Sequence, residues 1–158
     1  MRKKWNQFSS LTRSEKCLLL TAWVVLQVTA VWLRTAGLRR TQQFLLRYAR
    51  PGVQGANKCL VADVVAQQYA LRLGWLVNAA SRYTVVPSSC LARALVTWLL
   101  LQRLGIAVGI RIGVNKGLDS FRAHAWVEYN GHVANDLPNT PTQYQPFSVV
   151  FGLTKGGE

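Results

Sequence analysis

Three residues in the second half of the sequence have side chains that could together catalyse acyl transfer: Cys90, His124 and Asp136. A cysteine thiolate attacks a carbonyl carbon, and an imidazole accepts the thiol proton and returns it to the leaving amine. A carboxylate then holds the imidazole in one tautomer. The chain has two histidines, and we expect the second, His132, to be a solvent-facing hairpin residue. His124 is therefore the candidate base.

Each of these residues, taken alone, also fits an ordinary structural role. A cysteine at the start of a helix is more often a buried packing residue, and a histidine in a strand can simply be hydrogen-bonded there. Their order along the chain is more specific. A cysteine on a capped helix is followed by a strand, and then a histidine and an aspartate lie on the two arms of a hairpin.

The helix that would carry Cys90 has clear start and stop signals. Pro87 and two serines precede the cysteine, residues 91–104 are strong helix formers, and Gly105 is placed to end the helix in the left-handed conformation. Cys90 thus falls in the first turn. The partial positive charge and free N–H groups of a helix N-terminus stabilise a thiolate and a developing oxyanion.

The two later members of the triad lie in the stretch FRAHAWVEYNGHVAND, residues 121–136, which follows an alternating strand-like segment at 106–114. A two-residue Asn-Gly turn would point His124 and Asp136 to opposite faces. A three-residue loop over 129–131, with Gly131 left-handed in a bulge, places them opposite each other. We predict the second register, or an equivalent bulge, and a further short strand at 147–151.

The first half of the chain is predicted to be helical. Residues 17–33 contain no charge, and Ser10 or Thr12 could cap a helix there, with Glu15 at the capping-box spacing from Thr12. This helix could be buried or covered by a partner, or it could associate with a membrane. A signal peptide is disfavoured, because no small-residue cleavage site ends the run.

A loop is expected at 51–57, followed by a second long helix over 58–80 that Gly74 interrupts. Its apolar positions near helical spacing are Leu60, Val64, Val65, Ala66 and Tyr69. We therefore predict an α+β fold in one compact unit. A helical subdomain at 1–80 precedes a core at 81–158, in which a helix packs on a small antiparallel sheet.

The composition of the chain limits the kinds of partner and the kinds of site that we expect. The 158 residues suit one globular domain, and a net charge of +13 favours an acidic peptide, an anionic membrane or nucleic acid. We expect no nucleic-acid binding, because no recognisable binding motif is present. The three cysteines, Cys17, Cys59 and Cys90, form no CxxC pair. We therefore expect no disulfide and no metal, and a cytoplasmic location that could include membrane association through residues 17–33. We also expect no cofactor.

Three blocks, PSSCLARAL, LGIAVGIRIGV and FRAHAWVEYNGHVAND, occur in order between Pro87 and Pro138. Together they resemble the leader peptidases of lasso-peptide biosynthesis, which are cysteine proteases with a transglutaminase-like, papain-like core. The resemblance implies a catalytic triad of Cys90, His124 and Asp136. It also implies that the protein cuts the leader from a ribosomally made precursor, so that a separate ATP-dependent synthetase can close the macrolactam ring.

The same resemblance implies partners. A stand-alone peptidase of this kind relies on a separate leader-recognition protein, the RiPP recognition element, and we find neither room for such a module nor a P-loop in the sequence. Two alternatives stay open. One is a transglutaminase-like acyl transferase, and the other is a non-catalytic scaffold that docks on a membrane or on partner enzymes through its basic, hydrophobic first half.

Two further residues are candidates for substrate binding. Arg93 lies one turn after Cys90 on the same helix face, and it could contact a substrate carboxylate or serve the structure. Trp126 is two residues from His124 and hence on the same strand face. It could pack in the core or shield the His-Asp pair.

Overall fold

The computed structural model describes residues 12–49, 60–116 and 121–147. The predicted loop at 51–57 and all but the first residue of the predicted strand at 147–151 lie outside the described residues. The elements, in chain order, are α1 Arg13–Thr35, α2 Gly37–Tyr48, α3 Leu60–Ser81, α4 Cys90–Arg103, β1 Gly109–Lys116, β2 Phe121–Tyr129, β3 His132–Val133, α5 Thr140–Gln143 and β4 Gln145–Pro146. The sheet order is β3-β2-β1-β4, and every pair is antiparallel. The α+β prediction is confirmed.

Helix α1 begins at the predicted capping box. The Thr12 hydroxyl accepts a hydrogen bond from the Glu15 backbone N–H, and the Glu15 carboxylate accepts one from the Thr12 N–H. Only one face of the helix is buried, through Ala22, Leu26, Thr29 and Ala30. The opposite face is exposed and largely apolar, so the fold covers only part of the charge-free run at 17–33.

Helix α3 is present as predicted, but it runs through Gly74 without the predicted interruption. Its buried side chains are Ala70, Leu73, Leu76, Val77 and Ala80, whereas Val64, Val65 and Tyr69 are exposed. A Cβ at Gly74 would clash with the carbonyl oxygen of Ala134. The glycine therefore permits close packing of the helix against the end of the hairpin.

Helix α4 is the central element and follows its prediction closely. The Ser89 hydroxyl caps it by accepting from the Ala92 N–H at 3.2 Å, and Gly105 follows its end with φ +78°. Ten of its residues are buried, including Trp98 and Leu101. It packs against α1, α2, α3, β1 and β2, so the helices and the sheet share one core.

The hairpin turn differs from the predicted bulge. Tyr129 pairs with His132, and the two turn residues Asn130 and Gly131 have φ of +46° and +81°. Positive φ at both central positions is the signature of a two-residue type I′ turn, which suits the twist of the flanking strands. The three-residue loop was therefore wrong. His132 is exposed, as predicted.

Strand β1 begins at Gly109, three residues later than the predicted start at 106. It pairs with β2 along its whole length, from Gly109 opposite Glu128 to Lys116 opposite Phe121. Strand β3 has only two residues and pairs with the last two of β2. Most of β2 therefore pairs with a strand on one side only. The chain that follows β3 leaves the sheet along this unpaired edge.

Candidate active site

His124 and Asp136 are joined by a hydrogen bond. Side chains alternate along a strand, so Ala125 and Val127 of β2 face the core while His124 lies on the other face. The imidazole Nε2 lies 2.5 Å from Asp136 Oδ2, and the two side chains are 18% and 27% exposed. The other carboxylate oxygen accepts from the Leu137 backbone N–H at 2.8 Å. The backbone hydrogen bond thus fixes the orientation of the carboxylate, and the carboxylate in turn fixes the orientation of the imidazole.

The pair meets because the β2–β3 ladder stops after Val133. Ala134 N–H still donates to the Val127 carbonyl at 2.8 Å, but the Val127 N–H donates to the side-chain oxygen of Asn135 at 2.7 Å. An amide side chain thus replaces the strand carbonyl that would come next. The chain bends away from the sheet there, and Asp136 reaches the face on which His124 lies.

Asn135 is also tied to the helices. Its backbone carbonyl accepts a hydrogen bond from Asn78 Nδ2 of α3 at 2.7 Å, and Asn78 Oδ1 accepts from Arg93 Nη1 of α4 at 3.3 Å. Arg93 therefore takes part in a polar chain from α4 through α3 to the hairpin. Its Nε is buried and has no hydrogen-bond partner among the described residues. Sequence patterns gave no signal for Asn78, because its partners lie far away along the chain.

Aromatic rings cover the imidazole. Tyr144 stacks on His124 with ring centroids 4.8 Å apart, and Trp126 lies 6.3 Å from it at an interplanar angle of 21°. Trp126 is fully buried and donates from Nε1 to Glu128 at 2.8 Å. Its ring lies so close to Gly113 that a Cβ there would be 2.9 Å away. Sequence reasoning placed Trp126 on this face but missed Tyr144, which lies in the irregular tail.

Cys90 is the first residue of α4 and packs, half buried, against the core. Because the Ser89 side chain takes the Ala92 N–H and the Ser89 carbonyl takes that of Arg93, the N–H groups of Cys90 and Leu91 have no helical partner. Within the described residues the thiol makes no hydrogen bond. His124 Nε2 is bound to Asp136, so Nδ1 is the other ring nitrogen. No hydrogen bond joins Cys90 to His124 among the described residues, and the pairing of these two side chains stays a prediction.

One family model matches the chain. Residues 32–150, about three quarters of the sequence, match the model described as the transglutaminase-like superfamily. The chain belongs to this superfamily. Neither a curated protein nor a solved structure matches it. The superfamily is typically one of cysteine proteases and acyl transferases, both of which use a thioester intermediate.

The transglutaminase-like match spans Cys90, His124 and Asp136, and it extends back into the last turn of α1. In the described parts of the chain, no group of three His, Cys, Asp or Glu side chains is arranged to hold a metal ion. The structure joins an imidazole and a carboxylate, and the thiol at the start of α4 is the third candidate group, whose place in the site stays a prediction. This set suits nucleophilic acyl chemistry.

Proposed function

We propose that this chain is a cysteine peptidase in which Cys90 is the nucleophile, His124 the general base and acid, and Asp136 the residue that orients the imidazole. The observation that carries the proposal is the hydrogen bond between His124 Nε2 and Asp136 in a transglutaminase-like chain. This bond fixes one ring nitrogen and leaves the other for the thiol, as a nucleophile-base-orienter triad requires.

The proposed reaction has two steps. In the first, His124 Nδ1 takes the Cys90 proton, and the thiolate attacks the scissile carbonyl carbon. The N–H groups of Cys90 and Leu91, which have no helical partner, then stabilise the oxyanion. The tetrahedral intermediate then collapses to a thioester as the imidazolium protonates the leaving amine. In the second step, water attacks the thioester, loses a proton to His124 and releases the acid with the thiol restored.

The proposed substrate is the precursor of a lasso peptide. Cleavage of the leader frees the α-amine of the core peptide, and that amine is the nucleophile that a separate ATP-dependent synthetase needs for ring closure. We propose that a separate leader-recognition protein presents the precursor. The resemblance of the blocks around Cys90, His124 and Asp136 to leader peptidases supports this substrate.

The test combines the purified protein with a candidate precursor and its leader-recognition protein, and follows the products by mass spectrometry. We expect the wild type to release a free leader and a core peptide. Cys90→Ala should produce neither, whereas Cys17→Ala, which changes an exposed cysteine on α1, should cleave as the wild type does. Cleavage by Cys90→Ala would overturn the assignment of the nucleophile.

A second candidate activity is acyl transfer to an amine, which the same superfamily also supports. Both reactions pass through the thioester, so they differ only in whether water or an amine then attacks it. Cleavage in ¹⁸O-labelled water in the presence of a primary amine distinguishes them. Uptake of the label into the leader carboxyl group supports the peptidase, whereas an amide between leader and amine supports the transferase.

A further inference from the structure

Two neighbouring helices present an exposed apolar surface, which we call the α1–α2 face. It consists of the exposed residues Leu20, Val24, Val28, Val31 and Trp32 on α1 and Tyr48 on α2, together with the partly buried Phe44 on α2. Val24 and Val28 are each 46% exposed and Tyr48 is 53% exposed. The α1 residues recur at helical spacing along one side of the helix, so they form a continuous stripe.

A groove runs along this face between the two helices. It has a volume of about 200 Å³ and is lined almost wholly by apolar atoms. Trp32 stacks on Phe44 with centroids 4.6 Å apart, and Phe44 packs against Tyr48 at 4.8 Å. Leu99 of α4 contributes to the lining, as does Arg103 at the end of that helix. The groove thus combines apolar walls with a cationic group.

The charges around the face are nearly all positive. Arg40 and Arg47 are exposed and lie one helical turn on either side of Phe44, and Arg103 is exposed at the groove. Residues 12–49 contain six Lys or Arg and one acidic residue, Glu15. That carboxylate is already paired with Arg72 at 2.7 Å. The rim therefore complements an anionic surface.

The geometry of α1 favours a helix that lies along a membrane over one that crosses it. By length and composition, Arg13–Thr35 is the one described helix able to span a bilayer. Its other face, however, is buried against α3 and α4, with Ala22 and Leu26 fully covered. Spanning would remove these contacts, whereas lying in the interface keeps them and covers only the exposed stripe.

We propose that the α1–α2 face docks on the surface of a bilayer that contains anionic lipids. Exposed aliphatic side chains enter the boundary between headgroups and acyl chains, and Trp32 and Tyr48 lie at headgroup level, where amphipathic aromatic rings are favoured. Arg40, Arg47 and Arg103 contact lipid phosphates. The uniformly basic rim favours this occupant over a second copy of the chain, whose identical rim would repel it.

The test is flotation of the purified full chain with phosphatidylcholine vesicles, with or without phosphatidylglycerol. We expect the wild type to float with the anionic vesicles, less so at high salt, and to stay behind with neutral ones. Arg40→Gln/Arg47→Gln removes two basic residues and should reduce binding about thirtyfold, since each basic residue near an anionic surface contributes roughly 1 kcal/mol. Arg82→Gln/Arg122→Gln, at exposed sites outside the face, is the matched control and should bind as the wild type does.

A second pair of variants tests the apolar part of the face. Val24→Glu/Val28→Glu should abolish flotation, whereas Val64→Glu/Val65→Glu, at comparably exposed valines on α3, should not. Thermal melts by circular dichroism establish that both variants fold. The proposal is overturned if the wild type does not float or if both valine variants lose flotation equally. It is also overturned if size exclusion shows a concentration-dependent dimer that Val24→Glu/Val28→Glu disrupts.

Discussion

Asn135 and Asp136 are adjacent in the chain but have different tasks. Asn135 is 5% exposed, and its side chain satisfies the Val127 N–H in the interior of the hairpin. Asp136 is partly exposed and binds the His124 ring. The first residue therefore positions the second, since its side-chain hydrogen bond bends the chain away from the strand.

Variants of the two residues should separate stability from activity. Asn135→Ala leaves the Val127 N–H unsatisfied and should lower the free energy of unfolding by about 1–3 kcal/mol. Asp136→Asn keeps the shape and exposure of the side chain, so we expect little change in stability. Its kcat should fall about 100-fold, because the imidazole loses its charged orienting partner. Urea denaturation and cleavage kinetics measure the two effects, and an Asp136→Asn variant with wild-type kcat would contradict the assigned role.

Tyr129 connects the hairpin to α3, and its ionisation should lower the stability of the fold at alkaline pH. Burial of the phenol and the hydrogen bond that it donates to Asp63 at 2.9 Å raise the pKa of Tyr129 above its ordinary value of 10.0. The folded state thus holds the phenolic proton more tightly than the unfolded chain does. This contribution to stability is complete below pH 10 and is lost as the pH rises through the raised pKa.

We therefore expect Tyr129→Phe to be less stable than the wild type at neutral pH, by about 1–2 kcal/mol for the lost charge-assisted hydrogen bond. The difference between the two proteins should narrow above pH 10, where the wild type loses the contribution. Denaturant midpoints at several pH values measure this. Tyr69→Phe, at an exposed position on α3, is the control and should follow the wild type throughout. A difference that grows with pH would contradict the argument.

At the level of elements, the features that short sequence patterns predicted correctly are those that interactions between neighbouring residues determine. The Thr12 capping box, the Ser89 cap and the left-handed Gly105 each depend on a few neighbouring residues, and all three are present. The Asn130-Gly131 turn also followed its strongest local preference. We predicted otherwise because catalysis needed His124 opposite Asp136, and no local pattern indicated that the ladder would end first.

The features that the sequence did not predict depend on distant contacts. The end of the hairpin ladder depends on Asn135 and on its contact with Asn78, 57 residues away. Gly74 is similar, because a glycine inside a helix normally weakens it by about 1 kcal/mol. We took it as an interruption, whereas the structure uses it for close approach to the Ala134 carbonyl. Neither contact has a signature in spacing or composition.

Gly74→Ala tests this close approach between α3 and the hairpin. Helix propensity alone predicts that alanine stabilises α3 by about 1 kcal/mol. The clash of its Cβ with the Ala134 carbonyl should instead destabilise the protein by about 3 kcal/mol and displace Asp136. Gly105→Ala is the matched control, since its Cβ meets nothing within 4 Å and should cost about 1–2 kcal/mol through its left-handed backbone alone. A stabilised Gly74→Ala variant would rule out the close approach.

The whole molecule is organised around α4. Leu26 of α1, Leu73 of α3, Leu101 of α4 and Val127 of β2 belong to one cluster of buried side chains. A division into a helical subdomain at 1–80 and a core at 81–158 stays a prediction. A shared core of this kind implies, however, that the two parts lose their structure together when the protein unfolds.

Leu26→Ala measures this coupling. The substitution leaves a cavity beside α4 and should lower the free energy of unfolding by about 2–5 kcal/mol. Because the core is shared, amide hydrogen exchange should accelerate as much in β2 as in α1 and α3. Val28→Ala, on the exposed side of the same helix, should change stability by about 0.5 kcal/mol or less. Faster exchange in the helices with unchanged protection of β2 would instead show that the helical half and the sheet unfold as separate units.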